Sequence, residues 1–155
     1  MSHVAAVGLH VKDLDALALA CTELGLELVP GQTTFRWYGR FMDDTVPNPD
    51  YPPELWGTCA HAIRYPGASA QTYEIGVVPR ANGEPGYELL FDSWDQATRP
   101  LAKAAGGVAL TTLRNRYAKH AALRSPAMAA LRRQGYRVTE TTNAQGESQL
   151  VLQKG

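Results

Sequence analysis

Cysteine is scarce in this chain: Cys21 and Cys59 are the only two among 155 residues. Two thiols cannot build a disulfide framework and these lack metal-finger spacing, so the expectation is a pair of reduced thiols in the cytoplasm. Long apolar runs are missing too. No stretch reaches the roughly 18 residues needed to span a bilayer, and Met1 is not followed by a basic and then apolar leader; no membrane contact is expected. Catalytic signatures are also absent: there is no G-x-S-x-G elbow, no phosphate-binding G-x-x-x-x-G-K-[ST], no G-x-G-x-x-G after a strand and no H-E-x-x-H. The last absence is local. Between Leu113 and Val138, 26 residues with seven Arg or Lys, there is no acid at all.

What is present starts with length, since 155 residues suit one domain that buries roughly two-thirds of its unfolded surface. The charges are divided along it. Residues 1–99 hold six basic and 13 acidic side chains and residues 100–155 hold nine and two, so halves of about minus seven and plus seven sum to zero. Such a dipole steers an anionic partner, stacks copies end to end, or cancels if the halves fold together.

Periodicity supplies the elements. Val4 to Val11 reads as a strand with Val7, Leu9 and Val11 on one face and Ala6, Gly8 and His10 on the other. Asp13 suits the N-cap of a helix whose stripe is Leu14, Leu17, Ala18, Cys21 and Leu24 and which Gly25 ends. Short strands are expected at 26–29 and 33–38. Residues 39–58 carry four prolines and no period and read as an inserted loop whose aromatics pack on its own domain or on a partner. A meander follows at 59–65, 72–78 and 87–91. Leu110, Leu113, Tyr117 and Ala121 share one side of a helix, Ser125-Pro126 restarts a second that ends at Gly135, and 136–142 with 147–153 close as a hairpin. This order predicts a single two-layer α+β domain over 1–155, with helices on one face of a mainly antiparallel sheet.

The segments "MSH", "VKDLDAL" with "LGLEL", "YEIGVV", "YELLFDSW", "RYAKH", "GYRVTE" and "LVLQ", taken in order, resemble an uncharacterised family, domain of unknown function number twelve fifty-seven, shared by algal plastids, cyanobacteria and bacteriophages. "CAHAIRYPGASAQTYEIGVV" is similar to its phage and proteobacterial branch. The resemblance implies one α+β domain and brings no catalytic residues, and the proline-rich insert falls outside it.

Candidate chemistry is limited. Cys59 and His61, two apart on an expected strand, share a face and would seed a metal site only if His10 or His120 came near, with His3 the remaining imidazole; no metal and no cofactor is expected. Glu74, Glu88 and Asp92 are candidates for an acid–base pair. A nucleic-acid surface would use Arg114, Arg116, Lys119, Arg124, Arg132, Arg133 and Arg137, with Tyr117, Tyr136 or Trp94 stacking on bases. The favoured reading is a non-enzymatic binding or accessory protein acting through protein–protein contacts, self-assembly included, with Phe41, Tyr51 and Trp56 as anchors and Arg36, Arg40 and Arg64 around them. Nucleic-acid binding is the alternative, and a metal- or carboxylate-dependent enzyme the third.

Overall fold

The computed structural model describes residues 4–39, 49–67, 72–92, 99–107, 110–145 and 148–155. Five strands, β1 (Val4–Val11), β2 (Glu27–Pro30), β3 (His61–Arg64), β4 (Ile75–Pro79) and β5 (Tyr87–Asp92), form an antiparallel sheet in the order β1-β5-β4-β3-β2. Four helices, α1 (Leu14–Glu23), α2 (Arg99–Ala105), α3 (Thr111–Leu123) and α4 (Pro126–Arg133), and a separate hairpin of β6 (Tyr136–Thr142) with β7 (Ser148–Lys154) complete the chain. The α+β expectation is borne out.

The main core lies between one face of the sheet and the helices. Val11, Ile63, Ile75, Val77, Leu89 and Phe91 meet Leu17 and Cys21 of α1, Leu101 of α2 and Leu113 and Tyr117 of α3. Asp13 caps α1 as expected, its Oδ1 accepting from the Ala16 N–H at 3.1 Å, and Ser125 caps α4 through Met128 N–H at 3.2 Å. The Tyr117 ring is buried while its hydroxyl oxygen accepts from the N–H groups of Lys12 (2.9 Å) and Asp13 (3.2 Å). One phenol thereby ties α3 to the turn that launches α1. Helix α2 is an addition to the sequence reading; its signal was Pro100 in the first turn and Leu101, Ala102 and Ala105 at helical spacing.

The second face of the sheet is covered by residues 31–39 and 49–60, which bury Phe35, Tyr51 and Trp56 against Ala62 and Leu90. Within that cover the expected strand at 33–38 is not formed; among the described residues it makes a single bridge, Thr34 to Thr58. The segment crosses over the sheet instead of joining its edge, so its amides find other acceptors: Phe35 N–H donates to Gly57 O, Arg36 N–H to the Glu74 carboxylate and Tyr38 N–H to the Asp92 carboxylate. The Phe35 ring enters the sheet at Gly76, where a built Cβ would lie 2.4 Å from Phe35 Cδ1. That close approach explains a glycine in the middle of a buried strand.

Gly76→Ala forces ring or strand to shift and is expected to cost about 1–3 kcal/mol, the usual range for overpacking. Urea denaturation checks this; an unchanged midpoint would show that Phe35 does not rely on the notch.

Candidate functional site

Glu88 lies on the covered face of β5 and is 4% exposed. Opposite it, β1 is irregular. Ala6 pairs with Leu90 but His10 pairs with Glu88, so β1 carries two more residues than β5 between those positions. The excess is taken up around Gly8, whose φ of 81° suits a residue without a Cβ. Glu88 closes the gap with its side chain: Oε1 accepts from Gly8 N–H at 3.0 Å and from Leu89 N–H at 3.2 Å. Its Oε2 lies 3.5 Å from His10 Nε2.

This carboxylate forms part of the wall of a cavity of about 340 Å³. Ala6, Gly8 and His10 of β1 make one side, and Asp50 with Tyr51 and the turn carrying Arg80, Asn82 and Glu84 make the other. Asn82 holds a left-handed conformation (φ 61°, ψ 27°), one that asparagine tolerates better than most side chains. Burial pushes the Tyr51 phenol above its usual range; a hydrogen bond from Ala81 and the charge of Arg80 oppose the shift, and the Glu88 and Asp50 carboxylates add to it. Arg80 donates through Nη1 to Pro85 O at 3.3 Å. The walls offer hydrogen-bonding groups of both polarities. Among the described residues the walls include no serine, threonine, cysteine or lysine, and no three metal-ligating side chains converge.

The other sequence candidates are placed elsewhere. Glu74 and Asp92 are not free acids: Glu74 Oε1 accepts from Arg36 N–H (2.9 Å) and Gln32 Nε2 (3.2 Å), its Oε2 lies 3.4 Å from Arg36 Nη2, and Asp92 Oδ2 accepts from Tyr38 N–H at 3.1 Å. Of the three acids, only Glu88 faces the cavity described above. Cys59 and His61 face opposite sides of the sheet, because Cys59 lies outside β3. The Cys59 thiol donates to Gln32 O at 3.1 Å and burial, with the Glu74 charge, pushes it up to about 11; His61 Nδ1 accepts from Gly31 N–H at 3.0 Å. Burial likewise pushes Cys21 up to about 12.

Of the residues expected to dock a protein partner, Tyr51 and Trp56 lie inside the fold. Tyr51 and Trp56 are 8% and 6% exposed, built into the protein's own second core, with Trp37 edge-on to Trp56 at 5.4 Å. Arg36 donates through Nε to Thr72 O at 2.8 Å, and Arg64 pairs with Glu27 across β2 and β3 at 3.0 Å. Arg40 and Phe41 lie outside the described residues, as do His3 and Trp94.

Three of the seven basic residues of the stretch, Arg116, Lys119 and Arg124, are paired with acids of the same chain. α1 and α3 pack antiparallel, so Asp13 and Asp15 at the start of α1 meet Arg124 (2.9 and 3.1 Å), while Glu23 at its end meets Arg116 (3.5 Å), Lys119 (3.2 Å) and His120. Arg116 and Lys119 also reach Glu140 of β6, at 3.8 and 3.5 Å. Tyr117 is buried, and half-exposed Tyr136 carries the Lys154 ammonium 5.6 Å from its ring centre. Arg132 donates to Leu123 O, Arg114 is half-buried on α3, and Arg133 and Arg137 are exposed. The acidic and basic parts of the chain therefore pair with each other along this seam. Compared with protein-family models, curated proteins and solved structures, the chain matches none.

Burial works to raise Glu23 and Asp13, but hydrogen bonds and charge from His120 and Lys119, and from Arg124, outweigh it and hold both carboxyls below their ordinary values of 4.5 and 3.8. Each therefore binds a proton less readily folded than unfolded. The stability they supply is complete above the ordinary values and disappears as pH falls through the lowered ones. Denaturation curves from pH 7 to pH 3 are expected to show a shallower loss for Glu23→Gln than for the parent; equal slopes would mean that the seam contributes nothing to acid lability.

Proposed function

We propose that this protein is a non-enzymatic binding or accessory protein whose recognition site is the cavity above Glu88. The observation that carries the reading is a buried carboxylate in the wall of a polar cavity, with one oxygen satisfied by two backbone amides and the other 3.5 Å from His10 Nε2. A buried charged acceptor is costly unless it is paired. An occupant that donates to Oε2 completes it. The volume falls at the lower end of the roughly 300–1,000 Å³ usual for small-molecule sites, enough for a small polar molecule or one side chain of a protein partner.

Binding is favoured over catalysis by the wall, whose described residues supply acids and an imidazole without a hydroxyl or thiol nucleophile other than the Tyr51 phenol. It is favoured over the aromatic loop and the basic helices because Tyr51 and Trp56 are buried, and Arg116, Lys119 and Arg124 are paired within the chain. Membership of the plastid, cyanobacterial and phage family belongs to this proposal and adds no activity to it.

A thermal-shift screen of small cationic, neutral and anionic polar molecules on the parent and on Glu88→Gln tests the reading. A bound molecule raises Tm by mass action. At least one class is expected to raise the parent's Tm and leave the variant's unchanged. No shift from any class, or equal shifts in both proteins, contradicts the reading.

A further inference from the structure

The strand edges of this protein differ in how they meet water. An open edge presents N–H and C=O groups to any other strand, and folds blunt it with charge, proline, a bulge or shortness. The five-stranded sheet does so at both ends: β1 is bulged around Gly8, and β2 is four residues long, carries Glu27 and ends at Pro30. In the hairpin, β6 carries Arg137 and Glu140. β7 has none of these devices. It runs for seven residues without proline and without charge before Lys154, and its middle is Leu150, Val151 and Leu152.

We infer that the free edge of β7 is a dimerisation surface whose occupant is β7 of a second copy of this chain. One edge of β7 is paired with β6 along its whole length, from Lys154 opposite Tyr136 to Ser148 opposite Thr142. Beyond β6, no hydrogen bond joins a backbone group of β7 to any described residue. The hairpin also borrows little from the rest of the fold. Neither core includes a residue of β6 or β7; Leu152 is 41% exposed, and Leu150 and Val151 are half-buried. A two-stranded ribbon is marginally stable on its own, and further strands are what it gains from a neighbour.

The sequence of β7 says which neighbour. Antiparallel pairing of two copies about a two-fold axis at Val151 sets Leu150 opposite Leu152, Gln149 opposite Gln153 and Val151 opposite itself, with Ser148 facing Lys154. Apolar meets apolar, amide meets amide, and no charge falls opposite an apolar side chain or a like charge. The same operation on β6 about Thr139 sets Val138 opposite the Glu140 carboxylate. Pairing through β7 builds a continuous sheet in the order β6-β7-β7-β6 and uses up the open β7 edge of both copies. Main-chain bonds supply the affinity and the alternating side chains fix the register. β7 supplies none of the described walls of the Glu88 cavity, so the dimer stands independently of that site.

Sedimentation equilibrium of the full chain over a concentration series tests the pairing, with Leu152→Lys on β7 and Thr141→Lys on β6 as variants and circular dichroism checking their folds. Leu152 is already exposed, so a single chain tolerates the charge, but in the dimer the charge enters an apolar pair twice. The parent is expected to reach twice the mass of one chain, Leu152→Lys to weaken the dimer about tenfold or more, and Thr141→Lys to leave it unchanged. If Leu152→Lys is misfolded, a sample mixed from isotope-labelled and unlabelled parent chains decides the matter. Nuclear Overhauser contacts between Leu150 of one copy and Leu152 of the other support the pairing, and a dimer without them overturns it. A parent that stays monomeric at NMR concentrations also overturns it, as does a dimer that folded Leu152→Lys leaves intact or that Thr141→Lys disrupts. A mass that keeps growing past two chains contradicts the closed two-fold arrangement.

Discussion

Three buried carboxylates on one face of the sheet, Glu74, Glu88 and Asp92, accept backbone N–H groups that have no partner in a strand ladder. A backbone amide left unsatisfied away from water costs about 1–3 kcal/mol, and a bond to a charged acceptor is worth about 1.5–3 kcal/mol. Glu74 and Asp92 in this way hold Arg36 and Tyr38, and with them a segment that crosses the sheet instead of extending it. Glu88 holds Gly8 at the point where β1 runs out of register. The irregular half of the molecule is attached to the regular half through these side chains.

The rest of the architecture follows from that attachment. Once residues 33–38 are held across the face, Phe35 drops into the space over Gly76, and Tyr51 and Trp56 close the second core around it. Where the cover meets the bulge, the two do not fill the space between them, and the cavity remains. On the opposite side, the divided charges of the chain meet along the α1–α3 seam. Part of a sequence dipole that suggested an external partner is thus met by the fold itself.

Elements governed by local rules were legible in the sequence. The stripes of α1 and α3, the Asp13 and Ser125 caps and the closing hairpin all depend on residues close together in the chain, and all are present. What escaped depends on distant residues. The alternation at 33–38 reads as a strand, but its hydrogen-bond partners lie near residues 57, 74 and 92, across the face of the sheet and not along an edge. Acids alternating with apolar residues on a strand read as solvent-facing, so the burial of Glu88 had no local sign. Gly8 within an apolar strand pattern was the one available hint of a bulge. The aromatic loop misled for a related reason: aromatics in a proline-rich insert fit an internal core as well as an external anchor, and only the sheet face beneath shows which.

Amide hydrogen exchange at Gly8 tests most directly whether a buried carboxylate shapes this site. Gly8 is exposed and sits on an edge strand, where an amide open to water exchanges rapidly. If Glu88 holds it, Gly8 should exchange as slowly as the ladder amides of β5. Exchange at the rate of an unprotected loop amide would mean that Glu88 does not close the bulge, and the cavity above it would lose its stated basis.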